Sequence, residues 1–217
     1  GFFGWMECAE LDIADMTGIE AFTGVYSINC SGNKLTSLDV SNNTNLSQLN
    51  CSGNNISSLK LGENETLWSL NGAGNRLVNI DISEVPWLEE VDFSNNLLSS
   101  FSIGKNVKIS TLAVNNNKLT GLNLANGKNT QLNTIQAQSN PNLTCIKVDD
   151  ADYSNANWTG ANFSFDPQHS FNESCNPCEE IGKEVDATFL LSSNGCVGDS
   201  IHFIDYTIID FDPEQMQ

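Results

Sequence analysis

The chain has 217 residues, with 9 Lys plus Arg against 27 Asp plus Glu and a formal net charge of −18. So acidic a surface makes nucleic acid and anionic lipid poor partners, because phosphate binding depends on clustered Lys and Arg. No apolar run approaches the roughly 20 residues of a membrane helix. The start, Gly1-Phe2-Phe3-Gly4-Trp5, has neither an initiator Met nor a basic-then-apolar order, so the chain reads as a mature or excised piece of something larger.

Residues 1–24 read as an N-terminal cap, in which Trp5, Met6, Leu11, Ile13, Met16, Ile19 and Phe22 can cover an open end. From Val25 a ladder with steps of 3, 2, 3, 2, 3 and 2 begins: Val25, Ile28, Cys30, Asn33, Leu35, Leu38, Val40. It returns 21 residues later as Leu46, Leu49, Cys51, Asn54, Ile56, Leu59, Leu61, and then as Leu67, Leu70, Gly72, Asn75, Leu77, Ile80, Ile82. Two more copies keep the period, around Leu88, Val91, Phe93, Asn96 and around Ile109, Leu112, Val114, Asn117. A sixth, Leu132, Ile135, Ala137, Asn140, starts two residues late and takes one extra residue at Pro141. A fixed period of this length predicts a solenoid over residues 25–148, with atypical end repeats.

Alternation around Leu49 and Cys51 predicts one short strand per coil and a parallel sheet of stacked strands. Asn33, Asn54, Asn75, Asn96, Asn117 and Asn140 fall where the chain turns inward, and a buried amide there can bond backbone groups that the turn leaves unpaired. Their expected role is structural. The ladder L-x-x-L-x-(C/L)-x-x-N-x-L-x-x-L resembles the leucine-rich repeats of bacterial surface proteins. Thr17-Gly18-Ile19-Glu20-Ala21-Phe22 resembles the start of an internalin-like repeat. The resemblance implies a mainly β, right-handed leucine-rich-repeat solenoid, secreted or held at the cell surface.

Residues 149–178 read as a C-terminal cap. The run from Asp149 to Trp158 resembles the segment after the repeats in type IX secreted proteins of gliding bacteria, and that resemblance implies a Cys145–Cys175 disulfide. Such a bridge would close a loop of about 30 residues, worth roughly 3–4 kcal/mol in the chain-entropy model, in an oxidising compartment. Cys178 and Cys196 form a further possible pair, and spacing alone leaves the connectivity open. Zinc is the competing reading, since Cys175-x-x-Cys178 has ligand spacing with His169 near, but Cys196 has no companion. Cys30 and Cys51 fill inward strand positions and read as small buried apolar residues. Cys8 is left free or bonded within the cap.

Residues 179–217 change character. Val185-Asp186-Ala187-Thr188-Phe189 and Ile201-His202-Phe203-Ile204-Asp205 read as two strands around a Gly-containing turn. They resemble the opening of a polycystic-kidney-disease-type (PKD) sandwich, so a partial immunoglobulin-like β-sandwich is expected after the solenoid.

No nucleophile–base arrangement, phosphate loop or H-E-x-x-H motif occurs, so no enzyme is expected and no cofactor is implied. Asp149, Asp150 and Asp152, and Asp205, Asp210, Asp212 and Glu214, could supply oxygen ligands to Ca2+, though neither group matches a calcium loop. The functional signal is the outward face of the strands. Tyr26 and Trp68 bring aromatic surface to its edge, Glu89, Glu90 and Asp92 gather carboxylates one coil beyond Trp68, and Gln48, Asn50 and Asn71 line the polar columns between. This face is expected to bind protein or polysaccharide in an adhesion role. The alternative is a spacer or filament subunit that self-associates.

Overall fold

The computed structural model describes residues 4–175. In chain order the strands are β1 (Gly4–Glu7), β2 (Val25–Asn29), β3 (Ser37–Asp39), β4 (Gln48–Asn50), β5 (Ser58–Lys60), β6 (Ser69–Asn71) and β7 (Glu90–Asp92). They continue as β8 (Ser100–Ser102), β9 (Thr111–Ala113), β10 (Gly121–Asn123), β11 (Thr134–Gln136), β12 (Cys145–Lys147), β13 (Phe163–Ser164) and β14 (Ser170–Asn172). One short helix, α1 (Ala151–Asn157), lies between β12 and β13.

The strands form a parallel-sheet solenoid. The main sheet has the order β1-β2-β4-β6-β7-β9-β11-β13, one strand per coil, and from β2 to β9 its pairs keep the 21-residue register, as in Gln48 with Ser69 and Ser69 with Glu90. Opposite it lie a two-stranded sheet, β3-β5, and a four-stranded one, β14-β12-β10-β8. The apolar ladder fills the space between. Ile28, Leu49, Leu70, Val91, Leu112 and Ile135 come from one side, and Leu38, Leu59, Phe101, Leu122 and Ile146 from the other, all buried. The stretches read as caps also supply strands, β1 at one end and β13 and β14 at the other.

Each coil turns at a residue with positive φ just before its Asn position: Gly32, Gly53, Gly74, Asn95, Asn116 and Ser139, with φ between 54° and 66°. Gly and Asn tolerate this left-handed conformation best. The turn points backbone groups inward, and the Asn side chain meets them. Asn54 Oδ1 accepts from Leu35 N at 3.0 Å, while its Nδ2 donates to Cys30 O and Cys51 O, both at 3.0 Å, and to Ser52 O at 3.2 Å. One amide therefore joins two coils. Asn75, Asn96, Asn117 and Asn140 repeat the pattern.

A second buried Asn column, absent from the sequence reading, runs along the opposite turn. Asn43 Nδ2 donates to Ile19 O, Asn64 Nδ2 to Asn43 O and Asn106 Nδ2 to Ile82 O, and Asn129 Nδ2 reaches Leu124 O. Val85 takes the place between Asn64 and Asn106. The second sheet is interrupted in the same coil, at residues 79–81, where Ile80 is only half-buried. In the neighbouring coil Phe93, the bulkiest residue of its inward column, lies against Gly72 and 5.8 Å from the ring of Phe101.

At the C-terminal end, Trp158 is buried among Phe163, Phe165 and Phe171, with ring centroids at 6.1, 6.5 and 5.3 Å. Asp150 caps α1 by accepting from Tyr153 N. Cys145 and Cys175 are joined in a disulfide spanning 30 residues, so Cys175 is not a zinc ligand here. The sandwich expected over residues 179–217, with Cys178 and Cys196, lies outside the described residues.

Two stability outcomes follow from these contacts. Asn54→Ala should cost about 2–4 kcal/mol, because several buried backbone groups lose their partner at once, whereas exposed Asn42→Ala should stay within about 0.5 kcal/mol; urea unfolding measures both. Gly72→Ala would put a Cβ 2.7 Å from Phe93 Cε1. It should cost about 1–3 kcal/mol through overpacking, and Phe93→Leu in the same chain should recover most of that loss.

Candidate ligand-binding face

Between the inward residues, the main sheet turns parallel columns of side chains outward. The first is Ser27, Gln48, Ser69, Glu90, Thr111 and Thr134, and the second Asn29, Asn50, Asn71, Asp92, Ala113 and Gln136, each held in register by strand pairing. Rungs in such a sheet repeat at about 4.8 Å. A third column begins one residue ahead of the first, with Tyr26, Ser47, Trp68, Glu89 and Ser110. Its backbone bonds run from Ser47 N to Tyr26 O, from Trp68 N to Ser47 O and from Glu89 N to Trp68 O. Tyr26 is 45% exposed and Trp68 half-buried, while Gln48, Glu89 and Glu90 are exposed. These residues share one face.

Several polar residues of that face are held by bonds within their own coil. Asn50 Oδ1 accepts from Ser52 N at 3.1 Å and Ser52 Oγ at 2.8 Å, Asn71 Oδ1 from Ala73 N at 3.0 Å, and Asp92 Oδ1 from Ser94 N at 2.8 Å. Asn29 does the same with Ser31 and donates Nδ2 to Glu7 Oε1 at 2.7 Å. The Asn50 and Asn71 amide nitrogens donate to no group among the described residues. Ser94, whose N–H makes the bond to Asp92, is buried at 7% exposure.

The electrostatics are one-sided. No outward position of β2, β4, β6, β7, β9 or β11 is Lys or Arg. The two ion pairs among the described residues, Lys34–Asp12 at 2.9 Å and Lys60–Asp39 at 3.2 Å, involve neither Glu89, Glu90 nor Asp92. Lys108 Nζ lies 5.5 Å from the centroid of the Trp87 ring, on the turn leading to β7.

Asp149, Asp150 and His169 serve the fold, while Asp205, Asp210, Asp212 and Glu214 lie outside the described residues. Asp149 accepts from Gly127 N and Asn129 N, and Asp150 caps α1, so neither carboxylate stands free for calcium. No group of three or more His, Cys, Asp and Glu among the described residues could hold a metal ion. His169 packs against Phe165 and Phe171, 4.8 and 4.9 Å between centroids. No helix among the described residues is long and apolar enough to cross a membrane.

Cys8, Cys30 and Cys51 occupy equivalent places in three successive coils and are free thiols. Burial raises the pKa of all three above the ordinary 9.0, with a smaller contribution from Glu7 for Cys8, from Cys8 for Cys30 and from Cys30 for Cys51. Cys30 is pushed up to about 12. A raised pKa means the folded chain holds the proton more tightly than the unfolded one, so this contribution is intact below pH 9 and is lost as pH climbs toward 12.

No family model matches the chain, nor does any curated protein. Solved structures do. The functional domain of InlJ from Listeria monocytogenes, described as including a cysteine ladder, is 28% identical with a TM-score of 0.57, over 74% of this chain and 37% of that one. The leucine-rich-repeat protein LIC12759 of Leptospira interrogans is 19% identical with a TM-score of 0.50, over 62% and 35%. An internalin (inlF) from Listeria monocytogenes is 17% identical with a TM-score of 0.47, over 78% and 62%. The coil geometry and the first two likenesses define a leucine-rich-repeat solenoid. The chain spans little more than a third of the length of those two solved chains.

Alkylation of the native protein at pH 8, mapped by peptide mass spectrometry, should modify Cys8 first and leave Cys30 and Cys51 unmodified until the chain is unfolded. Equal labelling of all three would show that the solenoid opens locally at this end.

Proposed function

We propose that the chain is a protein-binding, adhesion-type module of an extracellular or cell-surface protein, and that it binds through the outward face of the main sheet without catalysis. One observation carries this reading. In-register strands present polar columns, several of them already fixed by bonds within their own coil, beside exposed Tyr26 and half-buried Trp68. Prefixed groups lose little freedom on binding, and amphipathic aromatics supply much of the energy at protein interfaces.

The fold supports the reading, since repeat solenoids offer extended surfaces for recognition. The Cys145–Cys175 disulfide favours an oxidising compartment. The inward Cys8, Cys30 and Cys51 make a three-rung counterpart of the cysteine ladder described for the InlJ domain. In this reading the contact residues are Tyr26, Gln48, Asn50, Trp68, Asn71, Glu89, Glu90 and Asp92.

Surface plasmon resonance against an array of extracellular proteins, with a polysaccharide array beside it, tests the proposal. The wild-type chain should bind at least one protein, and Asn71→Arg, which places a bulky side chain at the centre of the face, should weaken that binding roughly tenfold or more. Binding only to polysaccharide, or protein binding indifferent to Asn71→Arg, would overturn it.

A further inference from the structure

The outward face combines three features on adjacent rungs. Trp68 follows Tyr26 by two rungs, about 10 Å, and precedes Glu89 by one, about 5 Å, with Ser47 between the aromatics and its hydroxyl tied to Tyr26 O. Glu90 pairs in register with Ser69, its Oε2 3.4 Å from Ser69 Oγ, and Asp92 pairs with Asn71. Among the described residues no Lys or Arg pairs with these carboxylates.

The distribution of cations sharpens this. The eight Lys and Arg among the described residues are Lys34, Lys60, Arg76, Lys105, Lys108, Lys118, Lys128 and Lys147, none at an outward main-sheet position. Two of them bridge to an acid of the preceding coil, and Lys108 lies over Trp87. The chain thus uses cation–carboxylate and cation–aromatic contacts elsewhere and leaves the face without their positive half. A net charge of −18 makes a second copy of this chain a poor occupant for such a surface.

We propose that the face takes an extended, arginine-bearing segment of its protein partner, with one guanidinium stacked on Trp68 and bonded to Glu89 and Glu90. This deepens the protein-binding reading above and rests on it. Arginine fits better than lysine, because a planar guanidinium stacks on an aromatic ring and can bond carboxylates at its edge at the same time, whereas a compact ammonium favours one contact or the other. A segment running diagonally from Tyr26 to Asp92 crosses three rungs, about 14 Å, and shifts three residues, about 10 Å, along the strands, about 17 Å in all. Five or six extended residues cover it at about 3.3 Å each. The free amides of Asn50 and Asn71 lie beneath that path and can donate to the backbone carbonyls of the segment.

The test uses the full chain and three synthetic peptides of about twelve residues, with alternating arginine and serine, lysine and serine, or citrulline and serine. Affinities are read by calorimetry at about 0.15 M salt, where long-range attraction is largely screened. The arginine peptide should bind about fivefold tighter than the lysine peptide, and the citrulline peptide should show no measurable binding. Glu89→Gln with Glu90→Gln should weaken the arginine peptide roughly tenfold. Glu63→Gln with Glu84→Gln, an equal loss of charge off the face, should change it less than about twofold. Trp68→Ala should remove most of the preference for arginine over lysine.

Equal weakening by both glutamate pairs, or equal affinity for arginine and lysine, would overturn the proposal, because attraction would then belong to the overall negative field. A protein ligand whose binding falls with Asn71→Arg but not with Glu89→Gln and Glu90→Gln would also overturn it while leaving the protein-binding reading intact. Loss of that broader reading shows itself separately, as protein binding that ignores Asn71→Arg.

Discussion

The buried amide of Asn54 and its equivalents is the interaction on which the rest of this structure depends. A coil of 21 residues must reverse sharply, and it does so at a left-handed residue that leaves N–H and C=O groups pointing into an apolar interior. Unpaired, each such group would cost on the order of 1–3 kcal/mol. A side-chain amide carries donor and acceptor together, so one residue satisfies its own coil and the one before it. Asn54 bonds both Cys51 O and Cys30 O at 3.0 Å. Register between coils follows from that double bond, and with register comes the alignment of every outward side chain.

A stack held by neighbour contacts alone is weakest at its ends, and this chain treats its two ends differently. At the first coil the Asn position is Leu11, 63% exposed, and Asn33 reaches back to take Leu11 N and Ile13 N. At the other end the device changes from hydrogen bonding to aromatic packing and covalent chemistry. Trp158 with three Phe rings fills the opening, Asp166 accepts from Ser139 N and Asn140 N, and a disulfide joins the final coil to the one before. The C-terminal coil is thereby tied by contacts that do not depend on the repeat.

The parallel solenoid was legible because inward residues alternate and their spacing repeats, which is a direct image of strand geometry. Its irregularities were not. The apolar ladder treats Gly72 and Phe93 as equivalent positions, and only in three dimensions does the Phe93 ring occupy the volume that Gly72 vacates. The Asn43–Asn64–Asn106 column carries a 21-residue signal, but Val85 breaks it and surrounding Asn residues mask it. The strands β13 and β14 escaped because Phe163 and Phe171 lie off the period, after α1. The Cys145–Cys175 pairing came from resemblance and not from spacing. On the candidate face the columns could be read directly, whereas the bonds that hold Asn50, Asn71 and Asp92 depend on the local turn that follows each strand and could not.

Those bonds bear on what kind of surface this is. Exposed charge pairs contribute little to stability, commonly under about 1 kcal/mol, so removing cations from the main sheet costs the fold little, and placing them there would add little. Lys34 with Asp12 and Lys60 with Asp39 show that the chain can neutralise a carboxylate across neighbouring coils. Leaving Glu89, Glu90 and Asp92, beside Trp68, without a cation among the described residues therefore changes the field over the sheet far more than it changes stability. A negative potential over a rigid, aromatic-edged face acts on what approaches it, raising the encounter rate of cationic partners and disfavouring anionic ones. The same Asn-locked register that stabilises the solenoid also fixes where Glu89, Glu90 and Asp92 gather, one rung beyond Trp68.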